Sequence, residues 1–194
     1  MVLNLDLSDR IEYLSELAAP VNPIEGLIIP ETYYFPKSYT EKQIIDELLA
    51  VFFRDRLPKL KEYAEESPYN YYELLTIASL IEEEAKLDEE KPIIASVIYN
   101  RLAGDMLLQI DASVQYAFSE RKERILYSDL EIESPYNTYK YSGLPPGPIS
   151  SPGDEAIKAA ADPAESDFLF YFAKEDGSHV FTKSYEEHLQ KQKE

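Results

Sequence analysis

A stretch of 20 residues, 134–153, contains five prolines and three glycines. Proline fixes the backbone dihedral φ and lacks an N–H donor, so this composition excludes both a continuous helix and a central β-strand. A loop of this length inside a compact domain usually carries function when it is ordered. The sequence therefore predicts a shaped loop here, with regular elements on either side.

The overall charge argues against nucleic acid as a partner. Of the 194 residues, 37 are acidic and 19 are basic, which gives a formal net charge of −18. Nucleic-acid affinity comes mainly from cations placed on the phosphates, and such a surface repels a polyanion. At roughly 150 residues per domain, the length fits one domain with a small extension.

The residue inventory also excludes several kinds of site. The chain contains no cysteine, so it has no disulfide, no thiolate nucleophile and no cysteine-ligated zinc. The two histidines, His179 and His188, lack the spacing of a metal-binding motif, and we expect neither a metal ion nor a cofactor. No run of about 18 apolar residues marks a transmembrane helix.

Hydrophobic periodicity and capping residues predict more helix than strand. Thr40 is a predicted N-cap, with Gln43 at the third helical position, and Gly104 is a predicted helix end. An Asp-Gly turn within residues 175–178 predicts a β-hairpin. We expect residues 107–118 and 121–133 to be irregular. The predicted helices cover residues 8–17, 41–56, 67–89, 91–104 and 151–161, and the predicted extended segments cover residues 26–36, 168–173 and 179–182. Prolines interrupt residues 26–36, which are therefore predicted to be an extended segment or an edge strand.

Three consecutive glutamates near the end of one predicted helix differ in their surroundings. At about 100° per residue, a buried stripe through Ala78 and Ile81 leaves Glu83 facing water. Glu82 and Glu84 lie at the two edges of that stripe. A carboxyl group held against apolar neighbours has a raised pKa and can stay a proton donor near neutral pH. Periodicity leaves open which of the two is a general acid, and an acidic triplet is also typical of a solvated helix face.

A second candidate region lies inside the proline-rich loop. Tyr136, Asn137 and Tyr139 bring aromatic faces and an amide together, a combination that suits stacking on sugar rings and hydrogen bonding to them. The chain has 16 tyrosines and no tryptophan, which also fits a polar groove lined by aromatic hydroxyl groups. An ordinary surface loop would have the same composition.

Taken together, these motifs resemble one known family. In order and spacing the chain is similar to the MltG/YceG family of endolytic murein transglycosylases over nearly its whole length, from about Glu25 to His188. The matching segments are EG at 25–26, PETY at 30–33, ASLIEEE at 78–84, YNRL at 99–102, MLLQID at 106–111, SPYNTY at 134–139, GLPPGPI at 143–149, PG at 152–153 and HVF at 179–181.

The resemblance implies a fold and a set of site residues. The expected fold is α+β, with a lysozyme-like helical catalytic core and small β-strand or hairpin additions. The resemblance selects Glu84 as the catalytic glutamate, because it is the last acidic residue of the ASLIEEE segment. The expected substrate-binding residues are Gln109, Asp111, Tyr136, Asn137 and Tyr139. The chain departs from the usual family pattern at four positions, Glu83, Ile110, Ala112 and Leu189. These departures bear on the exact contacts in the cleft and not on the choice of Glu84.

The implied reaction is that of a lyase acting on peptidoglycan. Glu84 would cleave the β-1,4 bond between N-acetylmuramic acid (MurNAc) and N-acetylglucosamine (GlcNAc), leaving a 1,6-anhydro-MurNAc end and terminating nascent glycan strands. Two alternatives stay open. In a hydrolase, Asp111 or another acid would activate water opposite Glu84, whereas in a catalytically silent peptidoglycan-binding or scaffold protein Glu84 would be an ordinary boundary residue.

The resemblance also implies a cellular setting. The expected partners are peptidoglycan glycan strands and, as candidates, peptidoglycan synthases, with no nucleic acid and no membrane contact except through an anchor that this chain does not contain. The expected location is the extracytoplasmic face of the bacterial cytoplasmic membrane. We expect residues 1–24 to be an N-terminal extension or the remnant of a removed module, and residues 25–194 to form the YceG-like catalytic domain.

Overall fold

The computed structural model describes residues 24–194, so the helix predicted over residues 8–17 lies outside the described part. A π-helical segment, Phe52–Arg56, joins the first two helices, and 3-10 turns cover Asp88–Glu90 and Tyr127–Glu131. The remaining elements are α1 (Glu41–Val51), α2 (Leu57–Glu65), α3 (Tyr71–Glu84), α4 (Lys91–Ala103), α5 (Asp111–Tyr116), α6 (Asp154–Ala161), β1 (Phe170–Ala173), β2 (His179–Thr182) and α7 (Tyr185–Lys191). Helices outweigh strands, and the expected α+β class is confirmed.

Helix α3 forms the centre of the molecule. All eight side chains of residues 74–81 are buried, because α2, α4, α5 and α6 pack around the helix. The one-sided stripe expected from the sequence is therefore wrong for the middle of this helix, which is covered on every face. The first turn, residues 71–73, and the last turn, where the three glutamates lie, reach the surface.

Helix α3 is shorter than predicted at both ends. Asn70, rather than Ser67, is the N-cap: its side chain accepts hydrogen bonds from the backbone N–H groups of Tyr72 and Glu73, and Glu73 completes a capping box. At the other end the helix stops at Glu84, and Ala85 is extended with φ −90° and ψ 121°. The chain leaves the helix there and reverses, so that α4 can pack against α3.

The neighbouring helices follow their sequence signals more closely. Helix α4 starts at Lys91 with a proline in its first turn, and Gly104 is its C-cap, as predicted. The predicted end of α6 is also confirmed, but the helix begins at Asp154 after a Gly153 cap, later than expected from Ser151. Pro152 is outside the helix, and its carbonyl oxygen accepts a hydrogen bond of 2.6 Å from the buried Arg56.

Two predictions in the first part of the chain have different outcomes. The Thr40 capping box with Gln43 is confirmed. The helical backbone does not end near residue 56, however, but continues through the π-helical segment into α2. Pro58, which has no N–H group to donate, lies at the second position of α2, directly after the π-helical segment.

Residues 26–36 do not form an edge strand, one of the two alternatives predicted for them. Within residues 24–194 the only sheet is the pair of β1 and β2, and residues 26–36 form turns and irregular backbone. Leu27 and Ile29 are buried in the core, so the apolar pattern reflects burial without strand pairing. Gly26 has φ +76°, and a Cβ atom there would lie 2.7 Å from a side-chain atom of Pro148.

The proline-rich segment is a shaped loop, as predicted, and it packs against α3. Pro145, Gly147, Pro148 and Ile149 are buried. The backbone N–H of Ile149 donates to Ser79 Oγ on α3 over 3.0 Å. The region before this loop is more regular than expected, because it contains α5 and a 3-10 turn. The first part of the loop, residues 134–141, lies beside the start of α5.

The predicted β-hairpin is confirmed, and its two faces have different neighbours. Antiparallel pairing places Tyr171 opposite Phe181 and Ala173 opposite His179. Tyr171, His179 and Phe181 share one face, with ring centroids 5.5–6.0 Å apart. Phe170 and Phe172 lie on the other face and contact His188 of α7, a helix that the sequence patterns did not indicate. Within residues 24–194 no helix is long and apolar enough to cross a membrane.

Candidate active site

A pocket of about 330 Å³ opens where α3 ends. Four separate parts of the chain form it: the end of α3, the segment from α4 to α5, the proline-rich loop and the hairpin. Most of the side chains that line it are charged or can form hydrogen bonds. The lining side chains include those of Glu83, Glu84, Arg101, Gln109, Asp111, Tyr139, Tyr171 and His179.

Glu84 presents its carboxyl group to this pocket without a cationic partner. The Tyr171 hydroxyl group donates a hydrogen bond of 2.7 Å to Glu84 Oε2. No lysine or arginine among residues 24–194 forms an ion pair with it. Burial is the main cause that raises the pKa of Glu84, and the nearby charges of Asp111 and Glu83 add to it. The Tyr171 hydrogen bond and His179 act in the opposite direction but are outweighed. Glu84 is therefore suited to hold a proton where ordinary glutamates have lost theirs.

The structure separates Glu84 from the other boundary carboxylate. Glu82 Oε2 lies 3.1 Å from Nζ of Lys91, whose side chain is 9% exposed, and accepts a longer hydrogen bond from the Gly153 N–H. Glu83 is exposed, as predicted. Glu82 therefore joins α3 to α4 and to the loop before α6, and Glu84 is the carboxylate that remains available for chemistry.

We expect Glu82→Gln to reduce stability and to leave the chemistry of the pocket intact. Lys91 would lose one of its two carboxylate partners and keep Asp88, which lies 2.9 Å away. A partial loss of this kind costs about 1 kcal/mol, which lowers the Tm of a domain this size by about 2–4 °C. Thermal unfolding followed by circular dichroism measures the shift. A variant with unchanged Tm would mean that the Glu82–Lys91 contact contributes nothing to folding.

Tyr171 and His179 are site residues that the sequence patterns missed. Both lie on the same face of the hairpin, because Tyr171 pairs with Phe181 and His179 is two residues before Phe181. This face meets the end of α3, where Tyr171 contacts Glu84. Glu90 fixes the position of His179. Its carboxylate accepts a hydrogen bond of 2.8 Å from the His179 backbone N–H and lies 2.6 Å from His179 Nδ1. The alternation of side chains along a strand indicates which hairpin residues share a face. Which helix that face covers depends on long-range packing.

Arg101 is a buried cation that organises the pocket wall through backbone carbonyl groups. Its guanidinium group donates to the carbonyl oxygens of Leu169 and Leu108, both at 2.7 Å, and to that of Leu107 at 3.2 Å. It therefore ties the entry to the hairpin to the segment that precedes Gln109. Burial lowers the pKa of Arg101 from its ordinary value.

Gln109 is an exposed pocket residue with an unusual backbone. Its φ is +52°, a left-handed conformation that costs free energy for a residue with a Cβ atom. Surrounding hydrogen bonds enforce it: the Gln109 N–H donates to Thr138 O over 3.1 Å, and the Ile110 N–H donates to Thr138 Oγ1 over 2.9 Å. The strained backbone presents the Gln109 side chain to the pocket rim.

Asp111 and Tyr139 form a hydrogen-bonded pair across the pocket. The Tyr139 hydroxyl group donates to Asp111 Oδ1 over 2.6 Å. Burial is the main cause that raises the pKa of Tyr139, followed by this contact with Asp111. The structure thus brings four of the expected site residues together, namely Glu84, Gln109, Asp111 and Tyr139.

Tyr136 and Asn137 lie outside this pocket. Asn137 is fully buried, and its amide nitrogen donates to the carbonyl oxygens of Leu130 and Ile132 over 2.8 and 2.9 Å. Its side-chain oxygen accepts the Tyr139 N–H over 3.0 Å. Tyr136 is 6% exposed and packs on Tyr116, with ring centroids 4.7 Å apart. Both residues shape the loop that presents Tyr139.

Comparison with known proteins identifies the family. The sequence model of the YceG-like family matches residues 4–194. The chain belongs to the YceG-like family. Across residues 24–194 no group of three or more histidine, aspartate or glutamate side chains is arranged to hold a metal ion.

Relatives in this family carry an enzyme name. A Bacillus subtilis (strain 168) protein named endolytic murein transglycosylase is 43% identical over 167 residues, which cover 86% of this chain and 46% of the relative. A Streptococcus pneumoniae serotype 2 protein of the same name is 36% identical over 171 residues, covering 85% of this chain and 31% of the relative. The chain thus spans less than half the length of these two curated relatives.

A solved structure supports the fold of the YceG-like chain. The crystal structure of a YceG-like protein from Listeria monocytogenes matches with a TM-score of 0.85 at 39% sequence identity. The match covers 95% of this chain and 62% of the Listeria chain. The arrangement of the central helix and the hairpin therefore belongs to the family fold. The division at residues 24 and 25 stays a prediction.

Proposed function

We propose that this chain contains the catalytic site of an endolytic peptidoglycan lytic transglycosylase, with Glu84 as its acid and base. The observation that carries the proposal is the carboxyl group of Glu84, which faces the pocket, accepts a hydrogen bond from Tyr171 and forms no ion pair with a lysine or arginine of residues 24–194. Burial raises its pKa. The name shared by the relatives from Bacillus subtilis and Streptococcus pneumoniae supports murein as the substrate.

The first chemical step needs a proton donor beside the glycosidic oxygen. Protonated Glu84 gives its proton to the oxygen that leaves C1 of MurNAc, while positive charge develops on the sugar ring. The Tyr171 hydroxyl group holds the carboxyl group in place and stabilises the carboxylate that remains. The negative charge of Asp111 in the same pocket favours the developing cation.

The second step closes a ring on the same sugar. The Glu84 carboxylate takes the proton from the C6 hydroxyl group of MurNAc, and the C6 oxygen forms a bond to C1. The product is a 1,6-anhydro-MurNAc end, and Glu84 is again protonated. Because the nucleophile belongs to the sugar itself, its effective concentration is high, and one carboxylate serves both steps.

Polar residues around Glu84 are suited to position the sugars. Gln109 and Asp111 can exchange hydrogen bonds with hydroxyl and acetamido groups, and Tyr139 offers a ring face beside its hydroxyl group. Tyr136 and Asn137 act indirectly in this proposal, because they fix the loop that carries Tyr139. The site would work at the outer face of the cytoplasmic membrane, where cutting nascent strands beside peptidoglycan synthases terminates them.

A hydrolase is the second candidate function, and Asp111 is the observation that favours it. Its carboxylate lies in the same pocket as Glu84 and could activate a water molecule in place of the C6 hydroxyl group. Both mechanisms use Glu84 as the acid, so they differ in product rather than in the first step.

Mass spectrometry of the products released from purified peptidoglycan tests the proposal. A transglycosylase releases muropeptides lighter by one water molecule than the hydrolysis products, because the 1,6-anhydro ring replaces a reducing end. Muropeptides with reducing ends would instead support the hydrolase. Binding of glycan strands without any release would support a catalytically silent protein, and the proposed enzyme would be rejected.

The pH dependence of the reaction follows from the raised pKa of Glu84. We expect kcat/KM to fall as the pH rises through this pKa, because the acid must be protonated before the first step. Burial is the largest cause of the shift, and Asp111 adds to it. Asp111→Asn should therefore move the alkaline limb to lower pH. A limb that stays in place in an active variant would show that Asp111 does not act on the titrating group.

A further inference from the structure

A second pocket, of about 550 Å³, adjoins the Glu84 pocket. The two pockets share Asp111 and Tyr139, so this hydrogen-bonded pair forms the boundary between them. The outer wall of the second pocket comes from residues 123–127 and Leu130, and the last two of these, Tyr127 and Leu130, belong to the 3-10 turn before the proline-rich loop. A ligand at Glu84 can therefore extend past Tyr139 into this second pocket.

The second pocket contains an uncommitted cation, Arg124. Its side chain is exposed, and no ion pair or hydrogen bond to it occurs among residues 24–194. The neighbouring cation Lys122, by contrast, lies 2.5 Å from Asp129 and covers the ring of Phe118. Arg101, the cation of the Glu84 pocket, is buried against backbone carbonyl groups. Of the cations that line the two pockets, Arg124 alone is free to meet an anionic ligand.

Apolar side chains surround this cation. Leu126 is 55% exposed and Tyr127 is 92% exposed, and both line the second pocket together with Ile125 and Leu130. Asp111 and Glu123 also line it, and neither lies within ion-pair distance of Arg124. A ligand that fits this lining combines a carboxylate with short aliphatic groups, and a bare sugar offers fewer such groups.

We propose that the second pocket binds the peptide stem of a muramic acid residue, with Arg124 pairing with a stem carboxylate. This inference rests on the proposed function, because the stem is the part of peptidoglycan that joins carboxylates to small aliphatic side chains. Arg124 supplies the planar donor groups that a carboxylate accepts, and Leu126 and Tyr127 cover the aliphatic part. The Glu84 pocket holds the sugars, and the second pocket reads the stem.

The test compares two substrates: glycan strands with their stems, and strands from which an amidase has removed the stems. For Arg124→Ala we expect KM on stem-bearing strands to rise about tenfold, in keeping with the loss of one charged hydrogen bond. KM on stem-free strands and kcat on both substrates should not change. Arg124→Lys keeps the charge without the planar group and should give an intermediate KM.

Arg121→Ala is the matched control, because it removes an exposed arginine from the same segment outside both pockets. An equal rise in KM on both substrates would assign Arg124 to the glycan, including its lactyl carboxylate, and would overturn the peptide assignment. An Arg124→Ala variant that cleaves stem-bearing strands like the wild type would also overturn it, with the proposed function intact.

Equilibrium binding keeps this test independent of cleavage. Isothermal titration of the Arg124 variants with a disaccharide that carries a peptide stem, and with the same disaccharide without one, should show the loss for the first ligand only. If the wild-type chain cleaves neither strand type, the proposed function fails, and the titration still decides whether the second pocket binds the stem.

Discussion

Glu84→Gln is expected to lower kcat for release of soluble muropeptides by about a hundredfold or more. Glutamine keeps the size of the side chain and can still accept the hydrogen bond from Tyr171, but it can neither donate the required proton nor take one back. The loss should therefore appear in kcat, with little change in KM. Quantitative chromatography of muropeptides over time measures it.

The same substitution is expected to raise the Tm at neutral pH. An acid with a raised pKa in the folded state gives its full stability below the unfolded pKa, and that stability is lost as the pH rises through the folded pKa. Glutamine stays neutral at every pH, so it avoids the cost of an ionised carboxylate in this pocket. The difference in Tm between wild type and variant should shrink in acid.

Glu62→Gln is the matched control for both measurements, because it neutralises an exposed glutamate on α2 outside the pocket. It should leave kcat and Tm unchanged. A Glu84→Gln variant that still releases products at the wild-type rate would remove Glu84 from the mechanism. A lower Tm at neutral pH would show that ionised Glu84 stabilises the fold instead.

Asn137→Ala is expected to cost about 3 kcal/mol of stability. The substitution removes two hydrogen bonds to the carbonyl oxygens of Leu130 and Ile132 and one from the Tyr139 N–H, and it leaves those groups without their partner. The Tm should fall by roughly 6–12 °C. Ser142→Ala, at an exposed position of the same loop, should leave the Tm unchanged.

The kinetics of Asn137→Ala would separate a folding role from a substrate contact. If Asn137 only holds the loop, the variant loses stability, and in its folded fraction Tyr139 is displaced from its place in the pocket. If Asn137 touched the glycan, KM would rise while the Tm stayed near that of the wild type. The second result would contradict the buried position of this side chain.

Local sequence signals predicted the elements better than their limits. The hairpin, the Thr40 capping box and the Gly104 stop depend on a few adjacent residues, and each is confirmed. The ends of α3 and the irregular course of residues 26–36 depend on which surfaces are covered by other helices. A pattern of apolar residues reports burial, but it does not say whether a partner strand is present.

The relative exposure of the three glutamates was predictable from the sequence, and the wall of the pocket was less so. Helix geometry placed Glu83 in water and left Glu82 and Glu84 at the edges of the buried stripe, as the structure shows. The Lys91 contact that engages Glu82 and the Tyr171 contact that holds Glu84 join residues far apart in the chain, and no spacing rule reveals them. Asn137 has the residue type of a sugar ligand, yet its burial depends on the whole loop.

The distance along the chain between Glu84 and Tyr171, 87 residues, has a consequence for biosynthesis. A ribosome completes α3 long before it delivers β1 and β2, so a growing chain carries Glu84 without the wall that buries it. Contacts of such long range form late in folding, because loop closure must precede them. The wall that Tyr171 and His179 contribute is therefore absent from the pocket around Glu84 until β1 and β2 have been made and have docked.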